Sequence, residues 1–143
     1  MRLAYETINP TALTTLLSLK KQTASIPKDV RALLELRISQ INGCSYCIDL
    51  HAKEAVAHGV DQQRINCLSV AAESGLFTPK EIAALSLAEQ MTRIAEVSGI
   101  ETQRDALKAH FTEEEIVDLI YIIAAMNAMN RIAITCGDQP PKA

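Results

Sequence analysis

At 143 residues the chain has room for one domain, residues 1–143, and no second one is expected. Apolar residues make up 48% of it, yet it has Tyr 3, Phe 2 and no Trp, so the core must be built from Ala, Leu, Ile, Val and Met, which favour packed helices over sheets. A net charge of −3 leaves no basic footprint, and neither nucleic acid nor an anionic membrane is expected as a partner.

The opening residues, Met1 to Pro10, have no apolar stretch of signal-peptide length and no small-residue cleavage site, which predicts a cytoplasmic protein. Asn9-Pro10 reads as an N-cap followed by proline at the first helical position, opening a helix of about three turns through Leu13, Leu16, Leu17 and Lys20. Ser25 and Pro27 introduce the next, whose apolar positions Val30, Leu33, Leu34, Ile38 and Ile41 predict packing on one side until Asn42-Gly43 breaks it. A third helix is predicted from about Ser45 to His58, with Gly59 as its left-handed cap.

Asp61 can cap a fourth helix that runs through Ile65, Leu68 and Ala72 to Ser74-Gly75. Thr78-Pro79-Lys80-Glu81 is a capping box, and the helix it opens should reach about Val97. A short helix over Thr102 to Lys108 precedes a second capping box, Thr112 to Glu115, and a long final helix ended by Gly137. That helix contains the most apolar region, Ile116 to Cys136, but Asp118, Asn127, Asn130 and Arg131 interrupt it. Its longest unbroken run, Leu119 to Met126, falls far short of the roughly 20 residues a bilayer needs. Being apolar nearly all round, it predicts burial between subunits and hence a homo-oligomer. No stretch alternates with a period of two, so the fold class is all-α, a bundle of about six to seven helices with Cys-x-x-Cys at the N-terminus of a central one.

Chemistry concentrates between Ser39 and His51. Cys44, Cys47 and His51 are spaced by three and four, which stacks them on one helical face. Gly43 puts Cys44 at the helix start, where unpaired N–H groups and the helix dipole favour a thiolate. Attachment of c-type haem requires His directly after the second Cys, and residue 48 is Ile. A structural zinc would need a fourth ligand from Cys67, Cys136 or a carboxylate, and no second ligand pair is visible. No strand precedes the motif as a thioredoxin-type βαβ unit demands. A redox dithiol on a helical scaffold remains, with no metal and no cofactor expected.

The run Glu35 to Ala55, with its Ser-x-x-Asn-Gly-Cys-x-x-Cys-x-x-x-His core, resembles the carboxymuconolactone decarboxylase superfamily in its alkylhydroperoxidase D-like branch. The likeness continues through Ala83 to Thr92 and through Asn127 with Asn130-Arg131-Ile132-Ala133, so it spans roughly residues 25 to 135. The resemblance implies a homotrimer or homohexamer that reduces hydrogen peroxide or organic hydroperoxides by cycling Cys44 and Cys47 between dithiol and disulfide. An external dithiol or thioredoxin-like reductant resets the pair.

It also suggests that Cys47, four residues before His51 and so within reach of it as base, attacks the peroxide; Cys44, nearer the helix start and expected to be the more exposed, would then resolve the sulfenic acid, although helix N-terminal position alone argues the reverse order. One departure stands out: a relay Glu is usual twelve residues before the first cysteine, and here that position is Ala32. Glu35, about one turn further along, either reaches the site in its place or is a solvated surface charge, the commoner fate. Ser39 either hydrogen-bonds near the dithiol or back to its own helix. Asn42 reads as a structural turn residue, and Arg131 as one half of a subunit or interhelix ion pair. The alternatives to a peroxidase are a dithiol–disulfide exchanger or redox sensor, motivated by Ala32, and a binding or decarboxylase-like protein with incidental thiols.

Overall fold

A computed structural model describes residues 1–143, which form helices and turns without a β-strand. In chain order the helices are α1 (Tyr5–Ile8), α2 (Pro10–Leu17), α3 (Leu19–Gln22), α4 (Lys28–Asn42), α5 (Ser45–Ala57), α6 (Gln62–Asn66), α7 (Ala71–Ser74), α8 (Pro79–Thr92), α9 (Ile100–Ala106) and α10 (Glu113–Cys136). The expected six to seven correspond to the six that run seven residues or longer; α1, α3, α6 and α7 are single turns of four or five.

The capping signals at Asn9, Thr78 and Thr112 act as read. The Asn9 side chain accepts from the Ala12 N–H at 3.2 Å, and both capping boxes form reciprocally, Thr78 with Glu81 and Thr112 with Glu115. Helix lengths differ where side chains compete for the backbone. The first helix breaks at Ser18, where Thr14, Thr15 and Ser18 hydroxyls all donate to carbonyls three or four residues back, which weakens the helix they sit on. The predicted fourth helix divides into α6, a 3₁₀ turn (Leu68–Val70) and α7; Asp61 makes no side-chain cap bond, while Arg64 reaches the Leu76 carbonyl and Glu81. Helix α8 stops at Thr92, five residues before Val97, where the Thr92 hydroxyl donates to Ala88 and accepts from Asn127.

Helix α4 is the hub, packing on α5, α8 and α10. The one-sided packing expected of it is not what the fold uses: Ala32, Leu33, Leu34, Glu35 and Leu36 are buried in succession, which requires neighbours on every side. Conversely, only seven residues of the 24-residue α10 are buried. By length and composition alone α10 could cross a membrane. Here it packs on α4 and α8 and carries buried Asn130 into a polar network. The 26 buried apolar residues form one cluster from Ile26 to Ala133 that includes Cys44 and Cys47.

Candidate active site

Two local features place the dithiol. Gly43 ends α4 at φ +72°, a backbone region costly for any side chain, and lets the chain reverse into α5. The Gly43 N–H then reaches the Gln40 carbonyl at 3.3 Å and the Cys44 N–H the Ser39 carbonyl at 3.1 Å, a Schellman closure. Cys44 is left in extended conformation as N-cap of α5, its sulfur accepting from the Cys47 N–H at 3.3 Å. Cys44 and Cys47 are joined by a disulfide, with Cα atoms 5.3 Å apart. The greater exposure expected for Cys44 is absent: the two are 2% and 3% exposed, both within the apolar core against which α5 and α4 pack.

One turn further along α5 lies His51, 3% exposed, where a lone imidazole needs partners. It has two carboxylates. Its Nδ1 is 2.8 Å from Glu54 Oε2, three residues on along the same helix, and 3.7 Å from Glu35 Oε2 across the α4–α5 interface. Lys20, from α3, adds its ammonium 3.5 Å from Glu35 Oε2. Glu35 is therefore no solvated surface charge: at 5% exposure it is held between an imidazole and an ammonium. The hydrogen bond from His51 holds the Glu54 carboxyl below the usual carboxylate range, and partial burial opposes it. Ala32 lines the same cleft as Glu35 and Glu54, so the empty relay position faces a site that two other carboxylates supply.

Glu54 escaped the sequence reading, although its i, i+3 spacing from His51 is the signal that finds it. Ser39 turns its hydroxyl to the Glu35 carbonyl at 2.7 Å and accepts from Asn130 at 3.0 Å; its hydrogen bond to the dithiol segment is made by its backbone carbonyl. Asn42 does more than turn the chain, donating to Asn127 and Asn130 on α10. Within the chain Arg131 forms no ion pair; it is exposed and donates to Asn127. Glu35, His51 and Glu54 present ligand atoms within 4.8 Å of one another, a donor set that could hold a metal ion, although the Lys20 ammonium beside Glu35 opposes a cation there.

A helical domain that presents a Cys-x-x-Cys pair at a helix N-terminus has the fold of the alkylhydroperoxidase D-like proteins. Residues 10–90 match the Carboxymuconolactone decarboxylase family, and the chain belongs to it. It is 36% identical over 140 residues to the uncharacterized protein YdfG of Bacillus subtilis, covering 96% of this chain and 95% of that one. A crystal structure of a protein of unknown function from Agrobacterium tumefaciens, with a proposed identity as the antioxidant defence protein AhpD, superposes with a TM-score of 0.92 at 36% identity, covering 99% of each chain.

More distant structures share the fold alone. An uncharacterized peroxidase-related protein from Ralstonia eutropha has a TM-score of 0.82 at 21% identity, covering 96% of this chain and 74% of that one. The debrominase Bmp8, solved with 2,3,4-tribromopyrrole, has a TM-score of 0.80 at 21%, covering 93% and 72%. One fold thus carries different chemistries, and the activity must be argued from the site.

Proposed function

We propose that the chain is a thiol-dependent peroxidase acting on hydrogen peroxide or organic hydroperoxides, without a cofactor. The observation that carries this reading is the buried His51, four residues after Cys47 and bracketed by Glu54 at 2.8 Å and Glu35 at 3.7 Å. In the dithiol state His51 takes the Cys47 proton, and the thiolate attacks the terminal peroxide oxygen. The O–O bond breaks, an S–O bond forms, and the proton goes to the leaving alkoxide, giving alcohol and a Cys47 sulfenic acid. Cys44 then attacks the Cys47 sulfur; the S–S bond forms and hydroxide leaves as water with the remaining proton. An external dithiol or thioredoxin-like reductant restores both thiols. Glu54 and Glu35 stabilise the imidazolium formed in the first step.

The reading is tested by stopped-flow loss of the two motif thiols on mixing reduced protein with stoichiometric hydroperoxide. Cys47→Ser should abolish the fast phase, and an unchanged rate would end the proposal. The second reading, a dithiol–disulfide exchanger, rests on Ala32 at the relay position; slow oxidation by peroxide with rapid oxidation by a thioredoxin-like disulfide would establish it instead.

The same proposal takes residues 1–143 as one domain, supported by the single core cluster. A cytoplasmic setting fits Cys67 and Cys136, which are unpaired thiols. A homotrimer or homohexamer is supported by α10, which leaves Val117 and Tyr121, one turn apart, about half exposed at 49% and 52%.

A further inference from the structure

The closing-helix asparagines, so far without a role, meet the segment that carries the dithiol. Asn130 is wholly buried, and both ends of its amide are used. Its Nδ2 donates to Ser39 Oγ at 3.0 Å, and its Oδ1 accepts from Asn42 Nδ2 at 3.0 Å. Asn42 gives its second N–H to Asn127 Oδ1 at 2.9 Å. Asn127 in turn donates to Thr92 Oγ1 on α8 at 3.1 Å and to the Ile123 carbonyl at 3.0 Å. The chain of bonds therefore runs from α8 through α10 into the last turn of α4. It ends on Ser39, whose carbonyl holds the Cys44 N–H, and on Asn42, two residues before Cys44.

We infer that Asn42, Asn127 and Asn130 are positioning residues that clamp the last turn of α4 and thereby hold Cys44 as N-cap of α5, setting the reduction potential of the Cys44–Cys47 pair. A thiolate at an N-cap gains more from the exposed N–H groups than a disulfide sulfur does, so the clamp stabilises the dithiol state over the disulfide. Loosening it lets Cys44 drift off the helix terminus, and the pair becomes harder to reduce. The inference rests on the redox reading of the dithiol but requires no peroxidase activity.

The pair is equilibrated with mixtures of reduced and oxidised dithiothreitol, and the reduced fraction is read by thiol alkylation and mass. Asn42→Ala cuts the bonds to both α10 asparagines without removing any backbone hydrogen-bonding group. It should shift the equilibrium about tenfold toward disulfide, about 30 mV in potential. Asn127→Ala, also half-buried, should shift it the same way by less, since Asn130 still holds Asn42 and Ser39. Leu107→Ala, which opens a cavity at a buried residue that makes none of the clamp's hydrogen bonds, should lower the thermal midpoint and leave the equilibrium at the wild-type value. Wild-type equilibria in folded Asn42→Ala and Asn127→Ala, or an equal shift in Leu107→Ala, would overturn the inference. A wild-type disulfide that dithiothreitol cannot reduce would instead remove the redox reading beneath it.

Discussion

Replacing Glu54 with Gln isolates the carboxylate closest to His51, keeping size and hydrogen-bonding capacity while removing the charge. At the observed 2.8 Å separation the Coulomb energy of an imidazolium–carboxylate pair is about 6 kcal/mol at an effective dielectric constant of 20 and about 1.5 kcal/mol in water. Glu54 is 35% exposed and His51 4%, so solvent screens one side of the pair and the lower figure governs. About 1.5 kcal/mol is roughly a tenfold change in rate if the imidazolium forms in the transition state of thiol attack.

Glu54→Gln should therefore slow peroxide-driven thiol loss about tenfold at pH 7 in the stopped-flow assay. Glu35→Gln should slow it less, because Glu35 stands 3.7 Å from the imidazole and shares its charge with Lys20. Equal rates for wild type and both variants would refute the claim that the carboxylates support His51 as a base. A collapse confined to Glu35→Gln would move the principal partner from α5 to α4.

Other outcomes follow from the same geometry. Ala32→Glu, which restores the family's usual carboxylate, should give no gain in rate and should lower stability by a few kcal/mol in chemical denaturation, because it forces a third acid into a position 2% exposed beside Glu35; a faster, equally stable variant would show that the relay was incomplete. The Glu54 carboxyl, held low by the His51 hydrogen bond, contributes stability that is present above its unfolded value of about 4.3 and lost as pH falls through the lower folded value. The stability difference between wild type and Glu54→Gln, from urea titrations, should thus be clear at about pH 5 to 6 and shrink below about pH 4. Tyr121→Asp, on the exposed apolar stripe of α10, should lower the oligomeric state in sedimentation velocity, and an unchanged sedimentation coefficient would place the subunit contact elsewhere.

The sequence by itself determined the helical class, the capped starts of α2, α8 and α10, the reversal at Gly43 and the place of Cys44 at the head of α5. Each depends on contacts within a few residues: a hydroxyl three positions before a glutamate, a glycine where φ is positive, a period of three or four. The family likeness added the identity of the motif on equally local grounds.

What the tertiary structure decided was every pairing that spans the chain. Glu35, for which the sequence alone leaves both the site and the surface open, meets His51 and Lys20 because α3, α4 and α5 converge. Ser39, Asn42, Asn127 and Asn130 are separated by up to 91 positions and meet only because α10 crosses the end of α4. The equal burial of the two cysteines came from the same packing, which local spacing does not encode. Local rules fix where a helix starts and which face is apolar. The partner of a buried polar group depends on which helix lies against it, and that is set by the free energy of the whole core.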